Sequence, residues 1–165
     1  MTVWSRMSMA MSSATSTTNS ENTISTFATL RFAGDELDPE EISSVLKESP
    51  THAYRKGESY RPGPRSPEIT GKTGIWFLST KRKIQSNDIV DHLNAIERIV
   101  APFGDRDDRL KQIRDIMKRK NLQAHVTFFW RGRPGARHPS IPSVATDTLR
   151  RLPADIEADI DNEDC

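Results

Sequence analysis

Apolar and polar residues alternate most regularly over residues 122–131. One side of this segment is apolar throughout and consists of Leu122, Ala124, Val126, Phe128 and Trp130. The other side is mixed and consists of Gln123, His125, Thr127, Phe129 and Arg131. A period of two is typical of a β-strand with one buried face, because successive side chains of a strand point to opposite faces of the sheet. The pattern predicts a strand whose apolar side faces a core.

The same alternation recurs over residues 27–32 and predicts a second strand there. Its apolar side consists of Ala28, Leu30 and Phe32, and its other side of Phe27, Thr29 and Arg31. Shorter strands are predicted over residues 52–56, 75–78 and 156–161. The segment 75–78 is apolar on both sides, which favours a position inside the sheet.

A helix is predicted to begin at Asp38, whose carboxylate can accept hydrogen bonds from the free N–H groups of the first turn. Pro39 suits the first helical position, and Glu41 is placed to complete a capping box. This helix must end before Pro50, because the residue before a proline disfavours helical geometry.

Two further helices are predicted over residues 88–100 and 105–120, where apolar residues recur at helical spacing. Acidic residues at the start of the second of these and basic residues in its last turn complement the helix dipole. His92 lies beside Asp91 in the first, and we expect it to be solvated.

The remaining segments connect these elements. Residues 60–74 contain three prolines and three glycines and are predicted to form a loop. A second loop is expected over 132–142, with a brief edge strand around Ser140 and Ile141, and a short helix over 146–152. Residues 1–24 are rich in Ser and Thr and are predicted to be a disordered tail before a single domain over 25–162.

This order of elements predicts an α+β fold with a largely antiparallel sheet and helices packed on one face. Its first part matches a ferredoxin-like split βαβ unit, to which an αβ element is added at the C-terminal end.

The composition of the chain excludes several classes of function but does not identify one. The chain has 165 residues, a net charge of +1 and one cysteine, Cys165. Global attraction to nucleic acid or acidic membranes is therefore not expected, and an internal disulfide is excluded. No apolar run is long enough to span a bilayer. Among the four histidines none has metal-ligand spacing, and no phosphate-binding or nucleophile motif occurs. We predict no metal, no cofactor and no catalytic residue.

Several short motifs occur in a recognisable order: the segment 32–42 (FAGDELDPEEI), then 49–51 (SPT), 55–57 (RKG) and 74–76 (GIW). With the helix over 89–100 and the strand over 122–130, they make the chain resemble the bacterial domain of unknown function 4279 family over about residues 27–161. This resemblance implies a bacterial cytosolic protein. It implies no catalytic residue, cofactor or reaction.

The most basic region lies between Asp105 and His138, where ten Lys or Arg residues stand against four acids. Within it, Arg131-Gly-Arg-Pro134 matches the core of an A·T-hook, whose arginines enter a narrow minor groove. Nucleic-acid binding through residues 105–138 is therefore one hypothesis.

Another hypothesis uses the sheet face that the helices leave uncovered. The predicted binding surface consists of Arg31, Trp76, His125, Phe129, Arg131 and Arg133. Aromatic rings mixed with cations on a sheet make a docking surface for a protein partner or a small ligand. The alternative is that Trp76 and Phe129 are packed inside the protein.

The leading functional hypothesis is a non-catalytic binding module, of an immunity or regulatory type, that binds a protein partner or a small ligand. The alternatives are nucleic-acid binding and an enzyme whose site is scattered along the sequence. The first hypothesis rests on small size and on the absence of catalytic motifs, which are typical of binding modules but do not identify a site.

Overall fold

The structure, a computed structural model, describes residues 23–138, 151–152 and 154–162. The larger elements follow the chain in the order β1 (Thr23–Gly34), α1 (Pro39–Leu46), β2 (His52–Tyr54), β5 (Gly74–Ser79), α2 (Ile89–Val100), α3 (Arg106–Arg119), β6 (Gln123–Gly132) and β7 (Ala154–Asn162). Two very short strands, β3 (Ser59–Tyr60) and β4 (Ile69–Thr70), lie between β2 and β5. The predicted edge strand at 140–141, and all but the last two residues of the predicted helix over 146–152, lie outside the described residues.

The main sheet has five strands in the order β2-β5-β1-β6-β7. Its neighbours are antiparallel except for β6 and β7, which run parallel. The predicted α+β class and largely antiparallel sheet are confirmed. Strand β5 lies between β1 and β2, and the ferredoxin-like description of this arrangement stays a prediction. Strand β1 begins at Thr23, slightly before the predicted start of the domain.

Helix α1 begins as predicted at its capping residue. The Asp38 carboxylate accepts a hydrogen bond from the Glu40 N–H at 3.1 Å, and Pro39 is the first helical residue. The same carboxylate binds Arg55 at 2.7 Å, which ties the helix start to the end of β2. The predicted capping box is wrong, because the Glu41 carboxylate forms ion pairs with Arg119 and Lys120 of the α3 end instead.

The core lies between one face of the main sheet and the three helices. We call this the covered face. It receives the apolar side of each long strand, and both of its tryptophans donate indole hydrogen bonds: Trp76 to the Ser43 hydroxyl and Trp130 to the Thr23 hydroxyl, each at 2.9 Å. The alternation over 122–131 therefore predicted the buried side of β6 correctly, because Ala124, Val126, Phe128 and Trp130 are all buried.

Two buried polar side chains connect the helices to each other and to the sheet. Arg109, in α3, donates hydrogen bonds to the carbonyl oxygens of Leu46 and Ile99, each at 3.1 Å, where α1 and α2 end. Carbonyl groups in the last turn of a helix lack helical partners, so a buried guanidinium there satisfies acceptors that would otherwise be unpaired.

The second is His92, which we expected to be solvated and which is only 1% exposed. Its Nε2 lies 3.0 Å from the Ser86 carbonyl oxygen and its Nδ1 lies 2.7 Å from the Thr80 hydroxyl. A carbonyl only accepts, so Nε2 carries a proton. The prediction failed because polar partners distant in sequence make burial of an imidazole favourable.

The segment predicted as a loop over 60–74 contains a small hairpin. Ser59 and Tyr60 pair with Thr70 and Ile69. The hairpin stacks Tyr60 on Tyr54 of β2, with ring centroids 4.0 Å apart. Burial, followed by the interaction with Tyr60, raises the pKa of Tyr54 to about 12. Two-residue strands carry no readable alternation, which is why the sequence pattern missed them.

Within the described residues, no helix combines the length and the apolar character that crossing a bilayer would require.

Candidate functional site

The main sheet has a second face, opposite the helices, which we call the open face. Among the described residues, no helix contributes to it. It receives the alternate residues of the same strands, so the side chains that flank Phe128 on β6 point the other way. Thr127 and Phe129 are half-buried and Arg31 of β1 is exposed. The open face is therefore partly shielded by its own side chains.

Strand pairing aligns these residues in rows across the sheet. One row contains large side chains and reads His52, Phe77, Arg31, His125 and Asp155 from β2 to β7. From β5 to β6 the next row along the strands contains small residues, Ser79, Thr29 and Thr127, and its residue on β7 is Glu157. The row beyond it pairs Phe27 with Phe129.

This order of large, small and large rows creates a depression in the middle of the open face. A cavity of about 350 Å³ lies there, and we call it the central cavity. Its lining consists of Phe27, Thr29, Arg31, Phe77, His125, Thr127 and Phe129. Short hydroxyl side chains therefore lie between aromatic rings on one side and a cation with an imidazole on the other. Cavities of small-molecule sites typically combine apolar walls with a few polar groups in this way.

The aromatic end of the central cavity is held in place by ring contacts. Phe27 and Phe129 are stacked, with centroids 4.7 Å apart and planes inclined by 22°. The Lys81 ammonium lies 5.3 Å from the centre of the Phe27 ring. Stacked aromatic pairs and a cation over a ring are both attractive, so this end of the cavity is formed before any ligand enters.

The polar end of the cavity contains a cationic side chain. Among the described residues that line the cavity, Arg31 alone carries a permanent charge. Its guanidinium makes no hydrogen bond or ion pair with any residue in the described part of the chain. His125 lies beside it in register, and the His125 Nδ1 is 3.9 Å from an Asp155 carboxylate oxygen on the far side, away from Arg31.

A second cavity, of about 520 Å³, adjoins Arg31 where β1 ends. Both acidic and basic residues line it, among them Asp35, Glu36, Arg119 and Lys120. The two basic residues bind Glu41, and Asp35 binds Lys56, so most of these charges are already paired. A hydrogen bond to Lys56 is also the main reason why the pKa of Asp35 lies below its ordinary value.

Of the six residues predicted to form a binding surface, three line the central cavity: Arg31, His125 and Phe129. Arg131 follows on the same side of β6, one row beyond Phe129, and Arg133 is exposed in the turn after that strand. Neither of them lines the cavity.

The placement of Trp76 on this surface is wrong. It pairs in register with Phe32 and is 0% exposed on the covered face. Strand β5 is apolar on both sides, so alternation could not distinguish its two faces. Only the pairing with β1 reveals which side of β5 is buried.

Four lining residues were not proposed from the sequence: Phe27, Thr29, Phe77 and Thr127. For three of them the signal was present, because Phe27 and Thr29 alternate with the apolar side of β1 and Thr127 with that of β6. Phe77 required knowledge of the strand register.

The basic segment does not form a single patch. Arg109 is buried, Arg106 binds Glu97 at 2.9 Å, and Arg119 and Lys120 bind Glu41. The exposed cations of α3 lie on the helical side of the domain, whereas Arg131 belongs to the open face. As for metals, the described residues contain no cluster of three or more His, Cys, Asp or Glu side chains that could hold an ion.

Fold and site together define an α+β protein with helices on one face of its sheet and, on the other, a cavity lined by aromatic rings, threonines, an arginine and a histidine. Over residues 22–163 the sequence matches the family described as "Domain of unknown function (DUF4279)". Since the match covers most of the chain, the protein belongs to this family. No curated protein matches it, and no solved structure does either.

Proposed function

We propose that this protein is a ligand-binding module whose binding site is the central cavity of the open face. The observation that supports the proposal most strongly is the lining of that cavity: three phenylalanines, two threonines, Arg31 and His125 surround about 350 Å³ in the middle of the sheet. This volume lies near the lower end of the range of about 300–1,000 Å³ for small-molecule sites.

A small molecule fits these dimensions better than a protein partner does. Stable protein interfaces bury about 800 Å² on each partner and are usually broad, whereas the polar groups here converge on one depression. The bacterial cytoplasm is the setting that we propose, because the single cysteine cannot form an internal disulfide and the family resemblance implies a bacterial origin. A regulatory role, in which ligand occupancy is sensed, is compatible with binding without catalysis.

Nucleic-acid binding is the weaker alternative. Four of the ten cations between residues 105 and 138 are buried or paired with carboxylates. Phosphate attraction needs clustered free cations, since each contact gains affinity by releasing counterions. An enzyme is the other alternative, and the feature that supports it is the proximity of Asp155 to His125, because a carboxylate can orient an imidazole as a general base.

A saturation-transfer NMR screen of a small-fragment library tests the proposal on the full chain. The blocking variant is Thr127→Trp, which fills the cavity from its floor, and the control is Thr70→Trp, which places the same ring on the exposed strand β4. We expect fragments that bind the wild type and the control to lose their signals with Thr127→Trp, provided that circular dichroism shows both variants folded.

Two results would count against the proposal. One is a screen in which no fragment binds the wild-type protein. The other is a set of fragments that bind Thr127→Trp as well as they bind the control.

A further inference from the structure

The charge and shape of the central cavity indicate which class of ligand it takes. We infer that the ligand is a compact organic anion: a planar, apolar body with one carboxylate or a similar acidic group, which Arg31 binds. This inference rests on the proposed function and adds the chemistry of the ligand to it.

The first argument is the state of Arg31. The guanidinium lines the cavity at an exposed position without an ion pair or hydrogen bond to any described residue. By contrast, the Arg55 guanidinium, which directly follows the edge strand β2, binds Asp38, Glu40 and Glu58 together. An arginine presents a rigid fork of donors that matches a carboxylate, so an unpaired one in a cavity is suited to an anionic group of the ligand.

The second argument is the position of the nearest acids. Asp155 lies in the same row as Arg31 but two strands away, which is about 10 Å at normal strand spacing. It interacts with His125 rather than with Arg31. On the other side, Asp35 and Glu36 line the adjoining cavity, but neither carboxylate is within ion-pair distance of Arg31, and Asp35 is engaged by Lys56. Neither Asp155 nor the acids of the adjoining cavity therefore form an ion pair with this guanidinium.

The third argument is the shape of the rest of the cavity. Arg31 and the stacked pair of Phe27 and Phe129 are four residues apart along β1, which corresponds to about 13 Å. Of the described lining residues, those between them are Thr29 and Thr127, whose side chains are short. A flat ring system attached to an acidic group can extend over these threonines and end against the Phe129 ring. A bare inorganic anion would leave the aromatic part of the cavity unused.

A matched pair of probes separates the charge from the shape. The anion 2-naphthoate and the neutral 2-naphthamide share a bicyclic body of the same size, and titration of the 15N-labelled full chain by NMR measures both dissociation constants. We expect 2-naphthoate to bind about tenfold more tightly or better, since a charge-assisted hydrogen bond contributes at least that factor. Arg31→Gln should remove this preference, and Arg31→Lys should keep part of it because the charge remains without the fork.

The control variant is Arg98→Gln, which removes an exposed arginine from the helical side of the domain. It should leave the preference for 2-naphthoate unchanged.

If both probes bind equally well in the cavity, the inferred ligand class is wrong while the proposed binding function stands. If neither probe binds and the fragment screen also finds nothing, both are wrong. A preference that survives Arg31→Gln, or that disappears in Arg98→Gln, would place the anion site elsewhere and overturn the inference.

Discussion

The two faces of the main sheet are built from alternate residues of the same strands, yet their side chains are satisfied in different ways. On the covered face, Phe128 and Trp130 are buried, and the buried indoles of Trp76 and Trp130 each donate to a hydroxyl group. On the open face, the neighbouring Phe129 is half-buried and stacked on Phe27, and Arg31 has no charged partner among the described residues. One face therefore stabilises the protein by burial, whereas the other leaves the Arg31 guanidinium without an ion pair to any described residue.

The largest expected effect compares two adjacent phenylalanines of β6. Phe128→Ala should lower the free energy of unfolding by about 3–5 kcal/mol, because it removes a buried ring and leaves a hole in the core. Phe129→Ala should lower it by only about 1–2 kcal/mol, since that ring is partly solvated already and loses mainly its stacking partner. Urea denaturation measures both values. Equal losses would mean that the open face is as buried as the covered one.

The second comparison concerns two arginines. Arg109→Gln should cost about 2–3 kcal/mol of unfolding free energy, because the buried carbonyl groups of Leu46 and Ile99 lose a charged donor. Arg31→Gln should change stability by less than about 0.5 kcal/mol, as is usual for exposed positions without partners. Thermal denaturation followed by circular dichroism compares them. A large loss from Arg31→Gln would show that this side chain has a structural role instead of a binding role.

The smallest effect concerns Tyr54, where the β3–β4 hairpin covers one end of the open face. Its pKa in the folded protein is raised to about 12 from an ordinary value of 10. As the pH rises, the hydroxyl group of Tyr54 loses its proton in the unfolded chain before it does so in the folded protein. The stability that this pKa difference contributes is therefore fully present below pH 10 and is lost as the pH rises from 10 to 12. We expect a decrease of about 2 kcal/mol over this range.

Tyr54→Phe is the matched control for this measurement, because phenylalanine keeps the ring and cannot ionise. Denaturation curves of the variant should show a shallower loss of stability between pH 10 and 12 than those of the wild type. If the two slopes are the same, Tyr54 is not shielded by the hairpin.

Where a segment has one apolar side, the sequence predicted both the element and its buried face. The strand over 122–131 is the best example, since its alternation needs no knowledge of neighbours. Helix α1 was located by its own end signals, Asp38 and Pro39. In both cases the determining interactions are local or depend only on the contrast between apolar and polar sides.

The predictions that failed depend on partners distant in sequence. Glu41 binds Arg119, which is 78 residues away, and a local capping pattern could not reveal that competition. His92 is buried because its two ring nitrogens form hydrogen bonds with the Thr80 hydroxyl group and the Ser86 carbonyl oxygen. Trp76 was assigned to the wrong face because β5 is apolar on both sides, and the register with β1 decides the question. The same register determines the site, since it aligns the threonine row that forms the floor of the central cavity.

The central claim is that an organic anion binds on the open face between Arg31 and Phe129. Its most direct test is a set of intermolecular nuclear Overhauser effects between 2-naphthoate and the 13C-labelled full chain. We predict contacts from the naphthalene protons to the rings of Phe77 and Phe129 and to the Thr127 methyl group. Contacts to the Leu46 and Ile84 methyl groups, which line a groove on the helical side, would contradict the account.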